Sequence, residues 1–391
     1  MLKIEKELQR VFSHRQVGSI TRCLEPIILP SSVEWIEEEF LEDEDIDALP
    51  IENNGVIVGI LEKETFFRSL RKFGKEIKLK DIKDFLLTEV PEINAEDIID
   101  NIFEKIMSKE KHKISPYFVV YYRSSYMGFV SLLQIIKQMN SLLIMDMEKA
   151  REVQTHLLEK SILENQLLEF RVYNKMAARV GGDFYINHIY KRKNFQIIGC
   201  FDVSGKGFSA SMGTIVIGSF ITALSINEIE DTNPLSFSQK LDEYVKELIP
   251  EGSFIAGALA FVDYDKGRCF VQNFGLPPVY IFDSCGNKKI LKILKSSLPP
   301  FGLGNLSNIK AMFVEFEIKK NLRIIMLTDG LPELKDPYGT QFGDDAVQQM
   351  ILKNSNLKQM EFIKVVSETI EKHRKYTSFS DDITLIDIRF N

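Results

Sequence analysis

From Phe129 to Val180 the chain contains neither glycine nor proline. A stretch of that length without helix breakers constrains the fold more than any other feature, because it reads as one long helix running into a strand. Apolar residues recur at Leu132, Ile136, Met139, Leu143, Met147, Ala150 and Leu157, with Gln154 as the polar exception. The steps of three and four make a heptad seam with one four-residue stutter. An amphipathic helix packed on its own domain would show the same seam, but the length favours a helix that joins two domains. The expected organisation is an N-terminal module over 1–140, a linker or switch helix over 141–165 and a C-terminal domain over 166–391.

Upstream of the helix the sequence repeats itself. Leu49-Pro50-Ile51, the Asn54-Gly55 turn and Val58-Gly59-Ile60-Leu61 read as strand, turn and strand, followed by a helix through Phe66 and Phe67. Tyr117-Phe118-Val119-Val120, Ser124-Ser125 and Met127-Gly128-Phe129-Val130 give the same series, again followed by a helix, from Leu132 to Met139. Helical stretches at Val33–Phe40 and Ala95–Met107 precede the two copies. A repeat of this size predicts two copies of one α/β unit packed together. Over roughly Val17 to Met139 these residues resemble a pair of CBS domains. That resemblance implies a dimerising or sensing module with a cleft for an adenine nucleotide. Thr65 and Gln134 stand where such domains carry the ribose-holding aspartate.

Charge and cysteine usage remove several function classes. The formal net charge is −7, which argues against a nucleic-acid footprint. The acidic run Glu37–Asp47 reads as a solvated helix face and loop. Cys23, Cys200, Cys269 and Cys285 are scattered, and the five histidines form no ligand pair. Zinc ribbons and disulfide scaffolds are therefore unsupported, and a reducing cytoplasm fits. The opening Met-Leu-Lys-Ile-Glu-Lys-Glu-Leu has acids where a signal peptide is apolar, and Gly213–Ile226 is too short to span a bilayer.

Downstream, strands are expected at Phe195–Val203, Phe254–Tyr264, Arg268–Phe274, Val279–Phe282, Phe313–Ile318, Leu322–Thr328 and Ile383–Phe390. Helices are expected at Gly207–Glu228, Pro234–Leu248, Asp344–Lys353 and Leu357–His373, and Asp265-Lys266-Gly267 and Cys285-Gly286-Asn287 read as hairpin turns. Adjacent strands with segregated helices predict an α+β fold with packed antiparallel sheets. Aspartates punctuate this region: Asp183 after Gly181-Gly182, Asp202 at a strand end before Val-Ser-Gly-Lys-Gly, Asp329 before Gly330, and the Asp381-Asp382 pair before the last strand. With no Lys or Arg evident to pair each one, such carboxylates are costly unless a cation collects them. An all-oxygen set selects Mg²⁺ or Mn²⁺ over zinc. Two such ions about 3.5–4 Å apart would activate a water for in-line displacement at a phosphate monoester. No Walker A loop and no Gly-x-Ser-x-Gly competes with that chemistry.

In sequence order, Val180–Tyr185, Phe201–Ala210, Leu327–Leu334, Gln341-Phe342-Gly343 and Asp381–Ile386 resemble the SpoIIE-like branch of the PPM metal-dependent serine/threonine phosphatases. Lys149–Leu158 is similar to the switch-helix entry of that branch. The resemblance covers roughly 149–391. It implies a double β-sandwich flanked by helices, with two divalent cations, Mn²⁺ or Mg²⁺, between the sheets. By motif, Asp183, Asp202, Asp329 and Asp381 match the metal-binding, catalytic aspartates, and the Val203 backbone carbonyl matches a further ligand. Asp382 falls where relatives carry Asn or Asp and would support Asp381. Where the branch has Asn-Ala-Gly-His-Pro-Pro, this chain has Asn273-Phe274-Gly275-Leu276-Pro277-Pro278. The resemblance also implies a phosphorylated partner, a STAS-type anti-sigma-factor antagonist, and dimerisation through the helix or the CBS-like pair is expected.

Two other readings stand beside a phosphatase. A catalytically silent scaffold would bind a phosphoprotein without turnover, yet such proteins normally lose acidic positions and none is lost here. A nucleotide cyclase is echoed by Gly-Gly-Asp-Phe, but the expected Glu is absent and the later aspartates go unexplained.

Overall fold

The structure, a computed structural model, describes residues 9–29, 31–42, 46–73, 85–108, 114–159, 167–190, 194–226, 233–283, 289–304, 306 and 313–391. The Cys285-Gly286-Asn287 turn, residues 160–165 of the expected linker, and the acids at 43–45 lie outside them. The chain divides into two compact units, Met1–Asp146 and Met147–Asn391.

The first unit is built twice on one plan. Strand β1 (Ile27–Ile28) pairs parallel with β2 (Ala48–Asn53), which pairs antiparallel with β3 (Val56–Glu62). Strand β4 (Glu92–Asn94) pairs parallel with β5 (Tyr117–Tyr122), which pairs antiparallel with β6 (Ser125–Ser131). Ile51 faces Gly59 and Val120 faces Gly128, with a register shift immediately after Ile51 and after Val120. Both hairpins turn through two residues at positive φ, Asn54-Gly55 and Arg123-Ser124, the geometry that matches strand twist. Helices α1 (Val33–Glu42) and α3 (Ile99–Met107) precede the hairpins, and α2 (Lys63–Phe73) follows the first. Their apolar residues Val33, Ile36 and Phe40, and Ile99, Ile102 and Ile106, are buried at helical spacing. Ala48 and Ile60 from one sheet and Tyr117, Val119 and Phe129 from the other share a small core. Helix α4 (Leu132–Glu159) follows β6 without a break.

The second unit is a sandwich of two five-stranded antiparallel sheets. In the first sheet the order is β14 (Val314–Glu317), β11 (Arg268–Phe274), β10 (Ile255–Asp263), β9 (Phe195–Val203) and β8 (Asp183–Tyr190). In the second it is β13 (Lys289–Leu294), β12 (Val279–Asp283), β15 (Leu322–Leu327), β16 (Ile383–Phe390) and β7 (Leu168–Lys175). Period-two alternation assigns the faces. Ile324 and Met326 of β15 join Ile198, Cys200 and Ala258 in the core between the sheets. Ile325 and Leu327 instead face helices α7 (Asp344–Asn354) and α8 (Gln359–Arg374), packing on Val347, Ile351, Phe362 and Val366. Helices α5 (Phe208–Ile226) and α6 (Pro234–Leu248) cover the other sheet through Ile217, Phe237 and Leu241. Burial on both faces explains why every residue of β10 is inaccessible.

The expected α+β architecture of packed antiparallel sheets is the observed one. The hydrophobic runs do not mark β13; they mark β7 only as the strand into which the long helix runs, and β8 only by its start at Asp183. Polar Asn187 and His188 break the run in β8; Asn187 is buried and accepts a hydrogen bond from Gln196. Leu276, at the position where the resembled branch has histidine, is buried in the main core, while Asn273 caps the turn by donating to the Leu276 and Pro277 carbonyls. Among the described residues no helix is long and apolar enough to cross a membrane.

Candidate metal centre

Asp183 opens β8 and Asp202 lies near the end of β9, and the antiparallel register places them directly opposite one another. That register comes from the Gly181-Gly182 turn, which brings the chain back beside Val203: the Val203 N–H donates to the Gly182 carbonyl at 3.1 Å. A Cβ on Gly182 would lie 3.0 Å from the Val203 carbonyl oxygen and 3.8 Å from an Asp202 carboxylate oxygen. The turn, the carbonyl and the carboxylate therefore share one small space. Asp329 follows β15, close enough to Asp202 for the charge of Asp329 to act on it.

Threonine hydroxyls orient Asp183. Thr328 donates to its carboxylate at 2.8 Å and accepts from the Thr384 N–H at 2.9 Å. Asp183 is almost fully buried, and burial pushes its carboxyl up to about 8, with the Asp382 and Asp329 charges adding and the threonine hydrogen bonds opposing. Burial also raises Asp202, followed by the charges of Asp183, Asp329 and Asp381. Asp329 is raised by burial and then by Glu333 and Asp381.

Asp382 has a different task. Its carboxylate accepts the backbone N–H groups of Ala177 at 2.7 Å and Gly182 at 2.6 Å. A Cβ on Gly181 would fall 2.4 Å from that carboxylate, and one on Gly330 would fall 1.8 Å from the Asp382 carbonyl oxygen. Both glycines are thus required by close approach, and Asp382 ties the turn before Asp183 to the turn after Asp329. With its oxygens engaged by amides, Asp382 positions the loops.

Asp381 has a partner that the sequence did not reveal. The Lys206 ammonium, from the glycine loop after β9, lies 2.7 Å from its carboxylate. The absence of basic partners expected for every aspartate therefore fails at Asp381, because a lysine that reads as part of a flexible loop reaches across 175 positions of chain, between 206 and 381. Among the described residues, Asp183, Asp202 and Asp329 have no Lys or Arg within ion-pair distance.

The donor set fits hard divalent cations: it is all oxygen, largely buried and mutually repulsive, and three of its carboxylates lack cationic partners. As the side chains stand, no group of three acidic, His or Cys residues among those described converges into a ready coordination shell. Asp381 faces Lys206, so a cation at that carboxylate requires the lysine to move. Gln154, the polar exception in the apolar seam, reaches this site too. It is buried on α4, donates to the Gly181 carbonyl at 2.7 Å and accepts from the Gly181 N–H at 3.2 Å. A lone polar residue within a helical seam was the available signal for it; Thr328 and Thr384 carried none.

The raised carboxyls give a signed pH dependence. Asp183 holds its proton to about 8 in the folded chain against 3.8 for its ordinary value. Its contribution to stability is present at low pH and is lost as pH rises through about 4 to 8. In EDTA, the melting temperature of the wild type is expected to fall relative to Asp183→Asn across that range, and Mn²⁺ affinity is expected to rise. A difference between the two melting curves that stays flat with pH would refute the assignment.

The sequence pattern of the family described as Stage II sporulation protein E (SpoIIE) matches residues 196–391, half of the chain. The chain belongs to the SpoIIE family. It is also 23% identical over 244 residues to the phosphoserine phosphatase RsbU of Bacillus subtilis, covering 62% of this chain and 70% of that protein. Protein IcfG of Synechocystis sp. is 23% identical over 271 residues, covering 63% of this chain and 42% of that protein, so the match spans less than half of IcfG. Among solved structures, the SiaA-PP2C domain of Pseudomonas aeruginosa superposes with a TM-score of 0.55 at 18% identity, covering 64% of this chain and 98% of that one. This likeness shows a shared PP2C-like fold for the SpoIIE-family unit.

Proposed function

We propose that the C-terminal unit is a protein phosphatase that removes phosphate from serine or threonine of a regulatory protein. The observation that carries the reading is the facing pair Asp183 and Asp202, with the Asp329 charge acting on Asp202 and no basic partner to any of the three among the described residues. Asp183, Asp202, the Val203 carbonyl, Asp329 and Asp381 would hold two cations, Mn²⁺ or Mg²⁺, and Asp382 would hold the loops that carry them. When bound, such cations neutralise phosphate charge and make a water acidic enough to attack. The chain's own part is placement: Thr328 orients Asp183, Gln154 and Asp382 fix the Gly181-Gly182 turn, and the helices exclude water from the sheets. Family membership and the phosphatase name carried by RsbU support the reaction class. The partner-switching context of such relatives makes a phosphorylated STAS-type antagonist of an anti-sigma factor the substrate of choice.

The N-terminal unit we read as a CBS-like pair that regulates this site through the helix Leu132–Glu159. Its duplicated sheets support that reading. A cavity of about 560 Å³ is lined by Lys63, Arg68 and Arg71 together with Asp47, Glu62 and Glu64, and an adenine nucleotide there would set its phosphate on the basic groups. The heptad seam of the helix supports a homodimer, and the free, buried Cys200 and Cys269 fit a reducing cytoplasm. The incomplete convergence of the carboxylates favours one other reading, a scaffold that binds a phosphoprotein without turnover.

The test is release of phosphate from p-nitrophenyl phosphate and a phosphothreonine peptide, in Mn²⁺ and in EDTA, by the full chain and by residues 141–391. Release in Mn²⁺ alone is expected, with a rate that differs between the two proteins. Equal rates would overturn regulation by the N-terminal unit. Binding of the phosphopeptide without release would select the scaffold.

A further inference from the structure

The Lys206 ammonium sits on two groups of one loop, 2.7 Å from the Asp381 carboxylate and 2.8 Å from the Ser380 carbonyl oxygen. Its backbone is set by Gly205 and Gly207, both at positive φ, so the side chain leaves a tight turn immediately after the strand that carries Asp202. Glu333 and Asp329 also act on it electrostatically. Lys206 is the one Lys or Arg among the described residues within ion-pair distance of the aspartate set.

We propose that Lys206 is a tethered counter-ion that competes with a divalent cation for Asp381, so that the Asp381 cation position loads only as the lysine is displaced. This rests on Asp381 being a metal ligand. The physics is ordinary: the ammonium occupies one Asp381 oxygen and repels a cation, the other oxygen already accepts the Asp382 N–H, and the lysine is delivered by its own chain at high effective concentration. Its side chain is 66% exposed, so displacement moves the ammonium into water at little cost and the competition is modest. The consequence is that the Asp381 position loads at a higher cation concentration than the Asp183–Asp202 side of the centre.

Lys206 is therefore a positioning residue, and the readout is Mn²⁺ binding by titration calorimetry on the full chain, without substrate. The weaker Mn²⁺ step is expected to tighten about three- to tenfold in Lys206→Met and to stay at the wild-type value in Lys206→Arg. In Asp381→Asn the weaker step is lost, and adding Lys206→Met changes nothing further. Unchanged or weakened binding in Lys206→Met overturns the proposal. Tightening that persists in the Asp381→Asn background also overturns it, because the lysine would then act at long range rather than on Asp381. If Asp381→Asn binds Mn²⁺ like the wild type, or the wild type binds none, the metal-ligand reading itself fails and the proposal falls with it. Circular dichroism melts confirm that each variant is folded.

Discussion

Replacing Asp202 with asparagine is expected to lower metal-dependent phosphate release by at least about 10²-fold, the loss seen when one preorganised electrostatic group is removed from a reaction centre. Asp202 meets Asp183 across the strand pair, and the charges of both Asp183 and Asp329 act on it, so it is the carboxylate that faces the other two. Asparagine keeps the shape and one oxygen, but removes the charge that a divalent cation requires. The fold should be kept or improved: burial and the charges of Asp183, Asp329 and Asp381 oppose ionisation of Asp202, so a neutral side chain relieves repulsion. The measurement is kcat with saturating Mn²⁺ beside a thermal melt in EDTA. Wild-type turnover in the variant would remove Asp202 from the site. Lost turnover with an unfolded variant would instead make the residue structural.

Replacing Arg323 with alanine is expected to cost about 3–5 kcal/mol of stability, because it strands a buried carboxylate. Arg323 on β15 and Asp387 on β16 are both inaccessible and pair through two hydrogen bonds, at 2.8 and 2.6 Å. The guanidinium also donates to the Leu357 carbonyl at 3.0 Å and stacks 4.5 Å from the centre of the Phe362 ring. One side chain thus joins the second sheet to the turn between α7 and α8. A unit of this size should lose roughly 6–20 °C in melting temperature. The double variant Arg323→Met with Asp387→Leu should recover most of the loss, since a buried pair replaced by apolar groups of similar volume is close to neutral. A single variant that melts within about 2 °C of the wild type would show that the pair is dispensable.

Much of the fold was legible in the residues. Phe195–Val203, Arg268–Phe274 and Ile383–Phe390 are strands with the bounds that their apolar runs imply. Pro234–Leu248 is a helix with those bounds because Asn233 caps it and Pro234 opens it. These elements are read easily because burial on both faces leaves a nearly continuous hydrophobic run. Of strand β8 only the start at Asp183 is legible, because its hydrogen-bonded Asn187 and half-buried His188 break that run, and a buried polar pair cannot be told from a surface loop until its partner is known.

The candidate site divides the same way. By itself the sequence determined which carboxylates end core strands or glycine turns, since Asp183, Asp202, Asp329 and Asp381 stand beside local signals of strand and turn. Only the tertiary structure decided what each one meets. Asp382 is held by amides of Ala177 and Gly182, some 200 positions away. Lys206 reaches Asp381, and Gln154 closes on Gly181. These contacts are made by backbone groups, which are the same in every residue, or by side chains brought together through two sheets. No local pattern encodes either, because the energy that selects them is the burial of the whole sandwich.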